Sequence, residues 1–477
     1  MPALLKTSFR DPSGFVYKSG ESFYRQINKS YKEQYQKLKE TNLLEELWRK
    51  QLLIEHKEVS GKGSIDANHY LTIEPRTIPF VSYPYEWCFS EYKKAALLTL
   101  EIEEIALKKG MTLKDASAFN VQFIGSNPVF IDTLSFEIYR EGDPWVAYKQ
   151  FCEHFLAPLS LMAYQDVRLN ALFQSSVNGI PLDIASKLLP FKTKFNLQLF
   201  LHIHLHAKKQ KQFADSTKLI EEDQSKERSA RSKLTENKKL RISKHSRLAL
   251  IDGLKSAVLR LKWNPGGTEW ADYYNNTNYS STAFTEKHKI IDSMLKAVAP
   301  KVVWDFGAND GEFSMIAEKH GAYVVSFDVD PSAVEKNFIR LSNNKQNKAK
   351  NNILPLMSDL TSPTPAIGWG HAERMSLVER GPADLLLSLA LIHHLAISNN
   401  TPLALIAEYF SKCSRNLIIE FVPKTDSQVQ KLLATRKDIF PEYTQEFFEK
   451  EFSNFFKIIS AEKISGSERV LYLLKAL

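Results

Sequence analysis

From Lys301 onward the chain alternates short apolar runs with amphipathic stretches. The runs Val302–Phe306, Tyr323–Asp328, Ile353–Met357, Ala383–Leu389 and Asn416–Phe421 are each followed by a helical or loop pattern. Strands that are apolar throughout are buried on both faces, and strands separated by helices enter a sheet in parallel. This half of the chain is therefore confined to an α/β architecture with a helix-covered parallel sheet. The first run ends in Asp305-Phe306-Gly307-Ala308-Asn309-Asp310-Gly311 and passes into a helical Glu312–His320. Such a strand, turn and helix points backbone N–H groups into a crevice, and its glycines let a ligand approach the main chain. Glycine-bearing turns also occur in α/β proteins without a ligand, so the turn needs support from the rest of the chain.

That support lies at the carboxyl ends of the later runs, where ligands collect in open parallel sheets. Asp328 closes the second run 17 residues after Gly311, near the offset at which an acid reaches ribose hydroxyls in dinucleotide folds. Asp359, beside Leu360, closes the third and could accept from an adenine amino group. The fourth carries Ser388 and then His393-His394, and the fifth carries Glu420 near its end. Runs at Phe455–Ser460 and Arg469–Leu474 complete the pattern.

In this order and spacing, residues of about 265–477 resemble the class I S-adenosylmethionine-dependent methyltransferases. Asp305, Gly307, Asn309 and Gly311 match the family's acid-and-glycine turn, with Asn309 in place of the middle glycine. Asn tolerates unusual backbone angles better than most residues. The resemblance implies a Rossmann-like seven-stranded methyltransferase sheet closed by an antiparallel pair, with S-adenosylmethionine as cofactor. It assigns Asp328 to the ribose, Asp359 and Leu360 to the adenine side, and Ser388 and the residues after it to the methionine and acceptor. NAD binding shares the first turn and is the competing reading. Removal of an acceptor proton would fall to His393, His394 or Glu420. The chain lacks the Asn-Pro-Pro-Tyr run associated with amide or base nitrogen methylation, and the expected acceptor is an oxygen or carbon on a small molecule or saccharide. The full chain also resembles the two-part, nodulation-type bacterial methyltransferases linked to cell-surface saccharides.

Residues 1–206 read as a separate α+β domain. A hairpin pattern spans Phe9–Ile27, helical spacing covers Tyr31–Gln51, and short strands are expected at Tyr70–Ile73 and Ile78–Val81. A long helix runs Phe89–Lys109 and ends at Gly110. Then come Asp115, Asn120 five residues later, a hairpin, and Asp132. This order resembles the catalytic loop of protein kinases and aminoglycoside-kinase-like proteins. The resemblance gives Asp115 the acceptor hydroxyl and gives Asn120 and Asp132 the metal. The departures are a missing G-x-G-x-x-G loop, no V-A-I-K lysine, and Thr133-Leu134 after Asp132; Arg25 is the substitute cation. Without those departures resolved, the three residues equally read as loop braces, so they count as a vestigial phosphotransfer set. Leu201–His206 carries three alternate histidines, which read either as ordinary helix-end or strand side chains or, in a strand, as one metal-facing row.

The formal charge is +8, and residues 207–247 hold 13 Lys or Arg against 6 Asp or Glu, a local balance of +7. A polar, aromatic-poor segment of this kind reads as a basic linker between residues 1–206 and a methyltransferase domain at 248–477. It lacks the interleaved aromatics of single-strand nucleic-acid binders, which argues against a nucleic-acid partner. Trp270–Ser280, rich in aromatics and amides, has the composition of a pocket lid or a packed loop. Three scattered cysteines, the lack of a signal-like N-terminus and the absence of a long apolar run predict a cytoplasmic protein with no structural metal, disulfide framework or membrane span.

Overall fold

The computed structural model describes residues 3–60, 65–210, 241–266, 280–343, 352–434 and 436–477. The Trp270–Tyr279 part of the aromatic loop and most of the basic segment, 211–240, lie outside the described residues.

The N-terminal region opens with a five-stranded sheet of order β1-β2-β3-β5-β4, antiparallel throughout. Its strands are β1 (Ala3–Leu4), β2 (Gly14–Ser19), β3 (Ser22–Asn28), β4 (His56–Val59) and β5 (His69–Pro75). Helices Lys32–Glu40 and Leu43–Arg49 lie between β3 and β4, broken where Asn42 takes φ 51°. No strand forms at Ile78–Val81. Pro79 has no N–H to give a ladder, and Phe80 instead buries its ring 5.7 Å from Trp304 and 5.9 Å from Phe327. The helix Phe89–Lys108 follows, then β6 (Met111–Leu113), β7 (Val121–Ile124), β8 (Asn127–Phe130) and β9 (Phe136–Ile138). β7 pairs with β8, and β6 with β9.

Leu201–Leu205 belongs to a wide helical turn, Phe200–Leu205, that His206 caps, so the three histidines do not share a strand face. His202 hydrogen-bonds the Tyr148 hydroxyl at 2.7 Å, His204 bonds Ser186 and Thr193, and His206 stacks on Tyr148. Among the described residues no group of three His, Cys, Asp or Glu is placed to hold a metal ion. No helix of the described residues is long and apolar enough to cross a membrane.

The C-terminal half is built on one seven-stranded sheet of order β12-β11-β10-β13-β14-β16-β15. Its members are β10 (Val302–Phe306), β11 (Tyr323–Asp328), β12 (Ile353–Met357), β13 (Leu385–Ser388), β14 (Asn416–Phe421), β15 (Phe456–Lys463) and β16 (Val470–Ala476). The first five are parallel, and β16 inserts antiparallel between β14 and β15. Side chains alternate between two cores, as strand geometry requires. Val303, Leu385, Leu387 and Ile418 face the helices Ser281–Val298 and Glu312–Lys319. Trp304, Phe306, Phe327, Leu386 and Ile419 face the other way, into a core that runs without a break into the N-terminal region.

Polar ties reinforce that shared core. Buried Glu86 pairs with Arg380 at 2.6 Å and accepts from the Thr364 hydroxyl, while Glu335 accepts from the Ser90 N–H at 3.0 Å. The helix Lys244–Arg260 packs on Phe89–Lys108, although the sequence groups most of it with the C-terminal half. Its buried Arg247 reaches Glu103 at 3.0 Å.

Candidate functional site

The sheet order reverses between β10 and β13, and a crevice opens at such a switch point above the carboxyl ends of the strands. A cavity of about 350 Å³ lies there, lined by Asp305, Gly307, Asn309, Asp328, Asp359, Leu360 and His394 among the residues singled out from sequence. Gly307 sits at φ 72°, and an added Cβ would lie 3.2 Å from Leu391. Asn309 takes φ 51° and donates its N–H to Asp328 Oδ2 at 2.8 Å, which ties the turn to the end of β11. The other oxygen of Asp328 accepts from the Asp330 N–H at 2.8 Å. Burial pushes the Asp328 carboxyl up to about 6 against these two donors, and pushes Asp305 up to about 7 although the Ser314 hydroxyl donates to it at 2.6 Å. Asp359 is exposed, and one of its oxygens accepts from the N–H and hydroxyl of Thr361.

Of the sheet-half residues selected from sequence, four do not line the cavity. Gly311 starts the helix Glu312–Lys319 at φ 82°, where a Cβ would meet the Asn337 amide at 2.5 Å. Ser388 shares the face of Leu386, pointing into the opposite core, and its Oγ is buried without a hydrogen-bond partner. His393 is buried with its Nδ1 unpartnered; burial and then His394 hold it well below the usual imidazole range. Glu420 is fully buried and is no edge acid. The strand alternation that sends Ile418 toward Ser281–Val298 sends Glu420 the same way, where Lys287 Nζ meets Oε2 at 2.7 Å and Arg469 lies 3.6 Å from Oε1. His394 does line the cavity, and burial, then Arg469, lowers it to about 4.

Lys287, Phe284 and Phe313 also line the wall and escaped the reading of the sequence. Lys287 Nζ lies 4.7 Å from the Phe313 ring centroid. The signal was present: Ala283, Lys287, Ile290, Ile291 and Met294 follow one helical stripe, and a lysine on an apolar stripe demands a buried partner.

No protein-family model matches the chain. A curated relative, nodulation protein NoeA of Rhizobium meliloti (strain 1021), is 33% identical over 480 residues, covering 99% of this chain and 96% of its own. The chain belongs to the NoeA family. Solved structures similar to parts of it include the N-methyltransferase NodS from Bradyrhizobium japonicum WM9, 11% identical, spanning 41% of this chain and 98% of NodS at a TM-score of 0.29. Another is magnesium protoporphyrin IX methyltransferase (ChlM) from Synechocystis PCC 6803, 18% identical, spanning 43% and 93% at a TM-score of 0.30.

In this NoeA-family chain the three N-terminal candidates also converge. Asn120 donates to the Ser135 hydroxyl at 3.1 Å, and Ser135 donates to Asp132 at 2.6 Å. Arg25, from β3, pairs with Asp132. Burial alone would raise Asp132, but Arg25 and the Ser135 hydroxyl outweigh it and hold the carboxyl below its usual value. Asp115 accepts from the Ser117 N–H at 2.9 Å and the Gln150 amide at 2.8 Å. These contacts brace the loop.

Proposed function

We propose that this NoeA-family chain is an S-adenosylmethionine-dependent methyltransferase acting on an oxygen or carbon of a small molecule or saccharide. The observation that carries this reading is one cavity walled at once by the Gly307–Asn309 turn, Asp328 and Asp359. The residues fit that cofactor. The turn brings Gly307 and Asn309 into the cavity wall, Asp328 is a buried acid that accepts from the backbone N–H groups of Asn309 and Asp330, and Asp359 keeps one oxygen outside its Thr361 contacts. Carboxylates accept from ribose hydroxyls and an adenine amino group, and they favour a cationic ligand electrostatically. The antiparallel β15 and β16 at the sheet edge are a further feature in its support.

When bound, the sulfonium supplies an electrophilic methyl group. The protein's part is alignment and the handling of the acceptor's proton. His394, in the same cavity wall, stays neutral near pH 7 and can accept a hydrogen bond from an acceptor hydroxyl. Lys287, fixed by Glu420, places a cation where it stabilises an oxygen that is losing its proton. His393 and Glu420 are assigned to structure. We place methyl transfer in residues of about 265–477 and acceptor presentation in 1–206, joined through 207–247.

A second reading makes the N-terminal region a kinase-like or partner-binding module, with the sheet half modifying a macromolecule or sensing the cofactor. Its support is the Asp115, Asn120, Asp132 and Arg25 cluster. Against phosphoryl transfer stands the Arg25 ion pair, which already engages Asp132. Incubation with labelled S-adenosylmethionine and extract of cells lacking the protein separates the readings. Label in a small-molecule or saccharide fraction supports the first. Label in a protein band favours the second, and an inert chain that still binds S-adenosylhomocysteine favours the sensor.

A further inference from the structure

The segment Ile180–Lys209 breaks the usual rule for surfaces. Phe191, Phe195 and Leu197 are 68%, 80% and 65% exposed, and Ile184, Leu188 and Leu201 around them are exposed as well. Monomeric proteins rarely expose so dense an apolar set without a partner for it. The set is rigidly presented. The helix Leu182–Leu188, the turn Phe191–Phe195 and the turn Phe200–Leu205 are clamped from inside by His204. Its Nδ1 lies 2.8 Å from Ser186 Oγ and its Nε2 lies 2.9 Å from Thr193 Oγ1. Thr193 Oγ1 already donates to the Pro190 carbonyl, so it accepts from Nε2–H, and Ser186 donates to Nδ1. One imidazole thus ties together the three pieces that carry the exposed side chains.

The charge of the segment selects the occupant. Lys187, Lys192, Lys194, Lys208 and Lys209 face a single acid, Asp183, across these thirty residues. Lys194 lies 5.1 Å from the Phe191 ring centroid, and the Phe191 and Phe195 rings are 5.5 Å apart. Two copies of this chain docking through the patch would bring like charges together, which disfavours self-association. Protruding phenylalanines interleaved with lysines suit an interface that is apolar beneath and anionic above. We propose that residues 184–201 form a peripheral membrane-binding patch for bilayers bearing anionic lipid headgroups. Phe191 and Phe195 enter the headgroup boundary, and Lys187, Lys192 and Lys194 engage the lipid phosphates. This assignment does not depend on the methyltransferase reading.

Flotation of the full chain with vesicles tests it, using phosphatidylcholine alone or mixed with phosphatidylglycerol. Wild type should float with the mixed vesicles, only weakly with phosphatidylcholine, and less as salt is raised. The Phe191→Ser/Phe195→Ser variant and the Lys192→Glu/Lys194→Glu variant should each lose roughly tenfold or more in vesicle affinity, from lost apolar insertion and lost headgroup attraction respectively. All four side chains lie on the surface, so both variants should melt as wild type does. No association of wild type with mixed vesicles overturns the proposal, as does equal flotation of the Phe191→Ser/Phe195→Ser variant. Concentration-dependent self-association, or binding to an acidic protein, that the phenylalanine pair governs in the absence of vesicle binding would assign the patch to a protein partner and equally overturn it.

Discussion

Replacing Glu420 with Gln removes the carboxylate that pairs with Lys287, in a place where both partners are almost wholly shielded from solvent. At an effective dielectric of about 20, the attractions at 2.7 Å and 3.6 Å amount to about 6 and about 5 kcal/mol gross, set against several kcal/mol of desolvation per ion. Arg469 retains Asp426, whose carboxylate accepts from it at 2.7 Å. Lys287 loses that attraction, with Asp305 still favouring its charge and Arg469 opposing it. Leaving such a charge poorly paired costs about 3–5 kcal/mol, which corresponds to a fall in Tm of about 3–5 °C for a chain of this length. Thermal unfolding followed by near-UV circular dichroism reads this directly. The Lys287→Met/Glu420→Gln double variant should recover most of the loss, because it removes both halves of the pair. A Glu420→Gln protein that melts like wild type would refute the reasoning.

Gly311→Ala, at φ 82° and closed in by Asn337, should cost about 1–3 kcal/mol in urea unfolding, since alanine is strained there and its Cβ meets Asn337. His393→Leu should change stability by less than about 1.5 kcal/mol and leave turnover intact, because the ring is buried with Nδ1 unpartnered. Asp305 has a folded-state pKa raised to about 7 from 3.8, so its contribution to stability is complete below about pH 4 and is lost as pH rises through about 7. Wild type measured against Asp305→Asn should therefore lose on the order of a few kcal/mol across that window, and a flat difference would contradict the assignment.

The sheet half was legible because its constraints are local. Apolar runs separated by helical spacing admit one kind of sheet, and a strand-ending acid such as Asp328 or Asp359 must lie near the crevice whatever the details. Glu420 also lies near a strand end, but its meaning depends on Lys287 and Arg469, 133 residues before it and 49 residues after it, and no local pattern names them. The tandem histidines divided for a similar reason. Ala390 at φ 50° turns the chain after β13, leaving His394 on the wall and His393 in the packing. Ile78–Val81 has strand-like composition, yet Phe80 has a better partner in Trp304 of the second half than any neighbouring strand offers. The continuity of the two halves was likewise hidden, since Glu86 and Arg380 are 294 residues apart.

Titration calorimetry of the full chain with S-adenosylhomocysteine, and separately with NAD, tests the assignment of the cavity most directly. S-adenosylhomocysteine should bind one per chain, NAD should give no heat, and Asp328→Ala should weaken the binding by roughly tenfold to a hundredfold through lost hydrogen bonds to the ribose and to Asn309. Binding of NAD with no response to S-adenosylhomocysteine would contradict the account.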